Sequence, residues 1–204
     1  MSGDPDPLLG RVIDGFRLER FLARGGMGAV YEARDARGQR AVVKLLADEL
    51  SMDPEARARF VREGEVMRRL PPHPNLVGVL AVEPQTPALV LEFAAGSPLD
   101  RVLAERGPFP AELALRVGRD VARALGQVHA LGLIHRDVKP ENVILEPSGR
   151  ARLIDFGVSK DTFRTVLTAS AQVLGTTLFM APERWDDGAE ADARADLFSL
   201  GAML

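Results

Sequence analysis

Apolar and polar positions alternate, or gather in short apolar runs, over Phe16 to Phe21, Ala29 to Arg34 and Gln39 to Leu46, with glycine-bearing turns between them. Runs of that length and period predict strands, and their close succession predicts an antiparallel sheet. The period changes at Asp53-Pro54-Glu55, where Asp53 is placed to cap a helix and Pro54 to occupy its first position. Ala56, Phe60, Met67 and Leu70 then recur at helical spacing until Pro71-Pro72 stops the segment. Leu76 to Val82 and Ala88 to Phe93 read as two further strands, and the small-residue stretch Ala94 to Pro98 as a linker. Beyond it, Pro110 opens a helix with Leu113, Val117, Val121, Ala124, Leu125 and Val128 on one face and Gly132 as its C-terminal stop. Val143 to Leu145 and Ala151 to Ile154 follow as short strands.

The pattern therefore predicts an α+β chain: a loose tail over 1–10, a sheet-rich lobe over 11–93, a linker over 94–98 and a mainly helical lobe over 99–204. The chain has 204 residues, 46% of them hydrophobic, enough for a sizeable core. A net charge of −3 gives no reason to expect a nucleic-acid or anionic-membrane partner, so any phosphate chemistry must rest on local clusters. The absence of cysteine excludes disulfides, thiolate metal sites and a cysteine nucleophile. No stretch approaches the roughly 18 apolar residues of a membrane span, and the acidic N-terminus lacks a signal pattern. A cytoplasmic location is expected, compatible with a membrane anchor elsewhere in a longer protein.

Candidate chemistry begins at Ala23-Arg24-Gly25-Gly26-Met27-Gly28, a glycine loop between two predicted strands, where backbone N–H groups can approach phosphate oxygens. Taken alone, such a loop is more often a plain glycine-rich hairpin. A dinucleotide-binding fingerprint is disfavoured because a strand, not a helix, follows. Lys44 ends the apolar run Ala41-Val42-Val43, a costly place for a cation without an anionic partner, although snorkelling to solvent is the common alternative. Glu63, on the next helix, is a candidate partner that could help hold ATP phosphates. By itself it would be a solvated glutamate.

Three strings then occur in order: His135-Arg136-Asp137-Val138-Lys139-Pro140-Glu141-Asn142, Asp155-Phe156-Gly157 and Ala181-Pro182-Glu183. Together they are the protein-kinase signature, and from about Phe16 to Leu204 the chain resembles the bacterial serine/threonine kinases. The resemblance implies a bilobal fold and phosphoryl transfer from ATP, with Mg²⁺ or Mn²⁺, to Ser/Thr hydroxyls of protein substrates. Phosphoryl transfer depends on positioning and charge neutralisation, which explains the residue types. By motif match, Asp137 is the catalytic aspartate, Lys139 the cation on the transferring phosphate, and Asn142 and Asp155 the metal ligands. Ala23, Gly25, Gly26, Gly28, Lys44 and Glu63 correspond to the phosphate-binding set. Val30, Val42 and Ile144 would hold adenine, with Leu91 as gatekeeper and Glu92 to Ala94 as hinge.

Arg136 before Asp137 resembles the type regulated by phosphate on the activation segment, where Thr168 and Ser170 correspond to autophosphorylation sites, with self-association a possible route. Thr176 resembles the threonine that contacts the catalytic loop in the Ser/Thr class. The chain departs from the pattern at Ala23, where a glycine is usual, at Val42, where alanine is usual, and at Thr177, where many relatives have proline. The large lobe is incomplete by the same comparison: the helix opening at Asp196 stops at Leu204, and the arginine expected to pair with Glu183 lies in the missing helices. On that ground the 204 residues alone are expected to fold poorly or stay inactive, with Leu115, Val121 and Leu125 short of their packing partner. The alternative readings are an inactive nucleotide- or partner-binding module and a small-molecule phosphotransferase, the latter opposed by Lys139 and the Ala181-Pro182-Glu183 segment.

Overall fold

The computed structural model describes residues 6–154, 178–185 and 192–204. Contacts divide the chain into two units, one of residues 1–71 and 78–93 and the other of 72–77 and 94–204.

The first unit is built on a sheet of strands β1 (Val12–Ile13), β2 (Phe16–Gly25), β3 (Gly28–Arg34), β4 (Arg40–Leu46), β5 (Val79–Glu83) and β6 (Ala88–Glu92), in the order β1-β2-β3-β4-β6-β5. Every pairing is antiparallel. Period-two alternation sorts the side chains: Ala29, Tyr31 and Ala33 of β3 and Ala41, Val43 and Leu45 of β4 enter one core with Ala88 and Val90. The intervening residues point to the opposite face. There Glu32 is buried between Arg20 and Arg40, at 2.6 and 2.7 Å. The Arg20 bond and, after it, Arg40 hold the Glu32 carboxyl below its usual range against the opposing effect of burial.

Residues 6–10 are not a loose tail. They form a turn in which the Tyr31 hydroxyl donates to Asp6 Oδ2 at 2.7 Å and Gly10 N–H donates to Leu18 at 2.8 Å. Leu8 packs against the core, and Phe21 meets Tyr31 edge-on. Nothing in the local pattern signals this, because one apolar residue and one carboxylate suffice to hold so short a segment.

The four-residue α1 (Asp48–Ser51) precedes α2 (Pro54–Arg68), and Asp53 accepts from the N–H groups of Glu55 and Ala56 as the cap requires. The helix approaches the sheet closely at Gly64, where a Cβ would run into Leu89 and lie 3.1 Å from Val82. Arg57 also ties α2 to the β5–β6 turn by donating to the carbonyls of Pro84 and Gln85. The strand expected from Leu76 starts at Val79 instead. Leu76 bridges Leu153, and Val77 N–H donates to Leu153, so these two residues pack with the second unit. Residues 72–77 thus leave the 11–93 stretch in which the sequence pattern placed them.

The second unit holds β7 (Ser97–Pro98), α3 (Leu99–Arg106), α4 (Ala111–Ala130), β8 (Val143–Leu145), β9 (Ala151–Leu153) and α5 (Ala193–Met203). Strands β7, β8 and β9 form a small sheet, so part of the expected linker is a strand. Gly96 permits that pairing: a Cβ there would strike the Leu145 carbonyl. On α4, Val117, Val121, Ala124, Leu125 and Val128 are buried as their spacing predicts. Val121 and Leu125 are wholly enclosed within these 204 residues, which corrects the expectation that they lack a partner, whereas Leu115 is 70% exposed. Gly118 contributes by leaving room on α4 for Leu204, which a Cβ would approach to 2.7 Å.

Candidate functional site

In the first unit the antiparallel register places five of the expected nucleotide residues on one sheet face. Ala23 pairs with Val30, Val30 with Lys44, and Lys44 with Leu89. One row away, Val42 pairs with Leu91. Directly paired residues project to the same side, so Ala23, Val30, Lys44, Val42 and Leu91 share the face opposite the apolar core. Helix α2 packs on that same face, through Gly64 against Leu89 and Val82, and carries half-buried Glu63. Glu92 caps the strand end: its backbone N–H donates to Gly78, and its carboxylate accepts from Gly78 N–H.

The β2–β3 hairpin closes through Gly25 paired with Gly28. Gly28 has φ of +144°, and a Cβ there would collide with the Leu45 carbonyl. Glycine is therefore required at this position by the strand pairing itself. Gly25, by contrast, would meet nothing within 4 Å, so the local packing does not explain it.

In the second unit the segment 135–142 is fixed from several sides. His135 is fully buried; its Nδ1 accepts from Asp137 N–H at 3.3 Å, which leaves Nε2 to donate to the Ile154 carbonyl at 3.1 Å. Asn142 directs its amide N–H groups at Asp137, to the backbone carbonyl at 2.7 Å and to the carboxylate Oδ2. Lys139 Nζ stands 3.5 Å from the other oxygen, Oδ1. The short helical turn Pro140–Asn142 then feeds into β8, and Asn142 accepts from Ile154 N–H, tying the loop to the end of β9. A buried carboxylate gripped by an amide and a nearby ammonium is thereby aimed rather than free to rotate. Ile144 lies in β8, opposite Pro98 and Arg152.

Arg136 has φ of +65°, an unfavourable conformation for a side chain with Cβ, worth about 1–3 kcal/mol of strain. Its N–H donates to Asp196 Oδ1 at 2.8 Å, and Asp196 Oδ2 accepts from His135 N–H at 2.8 Å. His129 Nε2 is 2.8 Å from the same oxygen. The Arg136 carbonyl accepts from Nη1 of Arg184, which is 8% exposed in the turn Pro182–Trp185. Sequence reasoning identifies Asp196 only as the start of a helix and does not single out His129 or Arg184. The available signal is a carboxylate next to the apolar run Leu197-Phe198, which at 1% exposure needs several donors.

Glu183 is exposed in the same turn. Asp155, Thr168, Ser170 and Thr176 lie outside the described residues. Among the described residues no helix is long and apolar enough to cross a membrane.

The family described as protein kinase domain matches residues 16–204. Serine/threonine-protein kinase PknA of Mycobacterium tuberculosis is 38% identical over 206 residues, which cover 97% of this chain and 47% of that protein. Serine/threonine-protein kinase AfsK of Streptomyces coelicolor is 37% identical over 95% of this chain and 24% of its own length. The chain thus spans about half or less of these relatives. Among solved structures, a single-substitution mutant of the Mycobacterium tuberculosis PknI kinase domain superposes with a TM-score of 0.72 at 32% identity, over 94% of this chain and 72% of that one.

Proposed function

Because this chain belongs to the protein kinase family, we propose that it provides the ATP-binding and phosphoryl-transfer residues of a bacterial protein serine/threonine kinase. The observation that carries the reading is the aimed carboxylate: Asp137 is buried, held by Asn142 through its carbonyl and Oδ2, and faced by Lys139. Such a carboxylate can accept the proton of an acceptor hydroxyl as that oxygen attacks phosphorus, while Lys139 offsets charge on the transferring group.

The donor set suits a hard divalent cation. Asn142 directs its N–H groups at Asp137, so its amide oxygen is the atom it can offer a metal. Asp155 is the second proposed ligand by sequence. Mg²⁺ or Mn²⁺ held there would neutralise phosphate charge. Glycine-loop residues 25, 26 and 28 with Ala23, together with Lys44 and Glu63, are proposed to serve the phosphates. Val30, Val42, Leu91, Glu92, Ala94 and Ile144 are proposed to serve the adenine ring. Protein Ser/Thr hydroxyls are the proposed acceptors, with Thr176 and Glu183 as activation-segment residues, Thr176 proposed to contact the catalytic loop, and Thr168 and Ser170 as candidate regulatory phosphosites.

The test is Asp137→Asn. It should leave ATP affinity nearly unchanged and lower kcat for phosphate transfer to a generic acceptor such as myelin basic protein by about a thousandfold or more. Wild-type turnover in that variant would overturn the assignment.

A further inference from the structure

The residue before the proposed catalytic aspartate is the one described non-glycine position besides Asp14 with positive φ, and both of its peptide groups are held by buried side chains. Asp196, from α5, takes the Arg136 N–H; Arg184, from the turn Pro182–Trp185, donates to the Arg136 carbonyl. That carbonyl belongs to the peptide joining Arg136 to Asp137. Its orientation sets the direction in which the Asp137 backbone leaves, and hence where the carboxylate points. A residue strained at φ +65° relaxes by rotating its flanking peptides, so holding only one of them would leave the other free to turn.

We propose that Arg184 is a positioning residue for phosphoryl transfer: its guanidinium fixes the Arg136–Asp137 peptide and so keeps the Asp137 carboxylate aimed at the acceptor hydroxyl. This deepens the kinase reading and rests on it. Guanidinium suits the task because its planar fork holds a defined direction, and because at 8% exposure it is shielded from water competing for the carbonyl. The arrangement also joins the turn carrying Pro182 and Glu183 to the catalytic loop. Seating of that turn is therefore felt at Asp137 through Arg184.

The experiment compares wild type, Arg184→Met and Arg184→Lys in the full chain, measuring kcat, KM for ATP and thermal midpoint, with Asp137→Asn as the reference for lost chemistry. A misaimed reacting group should cost about tenfold to a hundredfold in kcat for Arg184→Met, with KM for ATP within about twofold of wild type. Arg184→Lys, which keeps a charged donor without the fork, should fall between the two. Wild-type kcat in Arg184→Met overturns the inference, as does a fall in kcat and ATP affinity together that only tracks the unfolded fraction. If Arg184→Met does not fold, Arg184→Lys decides: reduced kcat at unchanged KM for ATP supports the inference, and wild-type kcat rejects it. A wild type that transfers no phosphate and is indistinguishable from Asp137→Asn overturns the kinase reading beneath it. An active wild type with indifferent Arg184 variants overturns this inference alone.

Discussion

Tyr31 shows how one side chain can carry the packing of a whole terminal segment. It is fully buried in the sheet core, and its hydroxyl reaches the carboxylate of Asp6. Burial, followed by the bond and charge of Asp6, pushes the phenol up to about 12 from 10.0. An acid whose native pKa exceeds its unfolded value contributes stability that is complete below the unfolded pKa. That contribution is lost as pH rises through the native pKa, because the unfolded chain releases its proton first. Urea midpoints should therefore fall more steeply between pH 10 and about 12 for wild type than for Tyr31→Phe. Parallel curves for the two proteins would refute the account. Asp6 behaves in the opposite sense: the Leu8 N–H, then Tyr31, hold its carboxyl below 3.8, so its contribution is present above that pH and lost in acid.

Among the elements, the β2–β3 hairpin separates two kinds of glycine that look alike in sequence. Gly28 sits at φ +144° with the Leu45 carbonyl and, at 2.9 Å, Ala47 N–H where a Cβ would go. Those are backbone atoms of β4 and of the residue just after it, whose N–H donates to the Met27 carbonyl, and they cannot step aside without breaking that pairing. Gly28→Ala should cost about 2–4 kcal/mol of stability without any nucleotide present, as strain and overpacking add. Gly25→Ala should change the ligand-free stability by about 0.5 kcal/mol or less, since open space surrounds it. Denaturant titration of both variants is the check; equal costs would mean that the local geometry does not distinguish them. Helix α2 depends on glycine in a related way. Gly64 is poor for helix formation, yet it allows the close approach to Leu89 that brings the helix onto the face bearing Lys44.

For the molecule as a whole, the proposed nucleotide chemistry predicts a linkage between ligand, metal and stability. ATP with Mg²⁺ at about a hundredfold over its Kd should raise unfolding free energy by about 2.7 kcal/mol, provided only the folded state binds. Chelating the metal should remove most of that gain, and Asn142→Ala should diminish its metal dependence. Thermal unfolding with ATP alone, with ATP plus Mg²⁺, and with EDTA provides the measurement. The same stabilisation with and without metal would argue against the proposed oxygen ligands. In the second unit α4 buries Val117, Val121, Ala124, Leu125 and Val128, while Leu115 on the same helix, Leu197 and Phe198 on α5, and Leu204 are exposed.

The sequence by itself determined the elements whose signals are local. Period-two runs located β2, β3, β4 and β6, and Asp53-Pro54 located the start of α2, because strand alternation and helix capping involve neighbours in the chain. The ordered strings around Asp137 determined the family, since their residue types answer to one chemistry. Only the tertiary structure could decide which distant groups complete the site. Asp196 reaches back 60 residues to Arg136 N–H, and Arg184 reaches 48 residues to its carbonyl, separations at which no periodicity operates. The same holds for the turn at 6–10 and for Leu76 and Val77, which joined Leu153 in place of β5. In each case a short segment with little preference of its own was settled by which buried donor, acceptor or apolar surface the rest of the fold left for it.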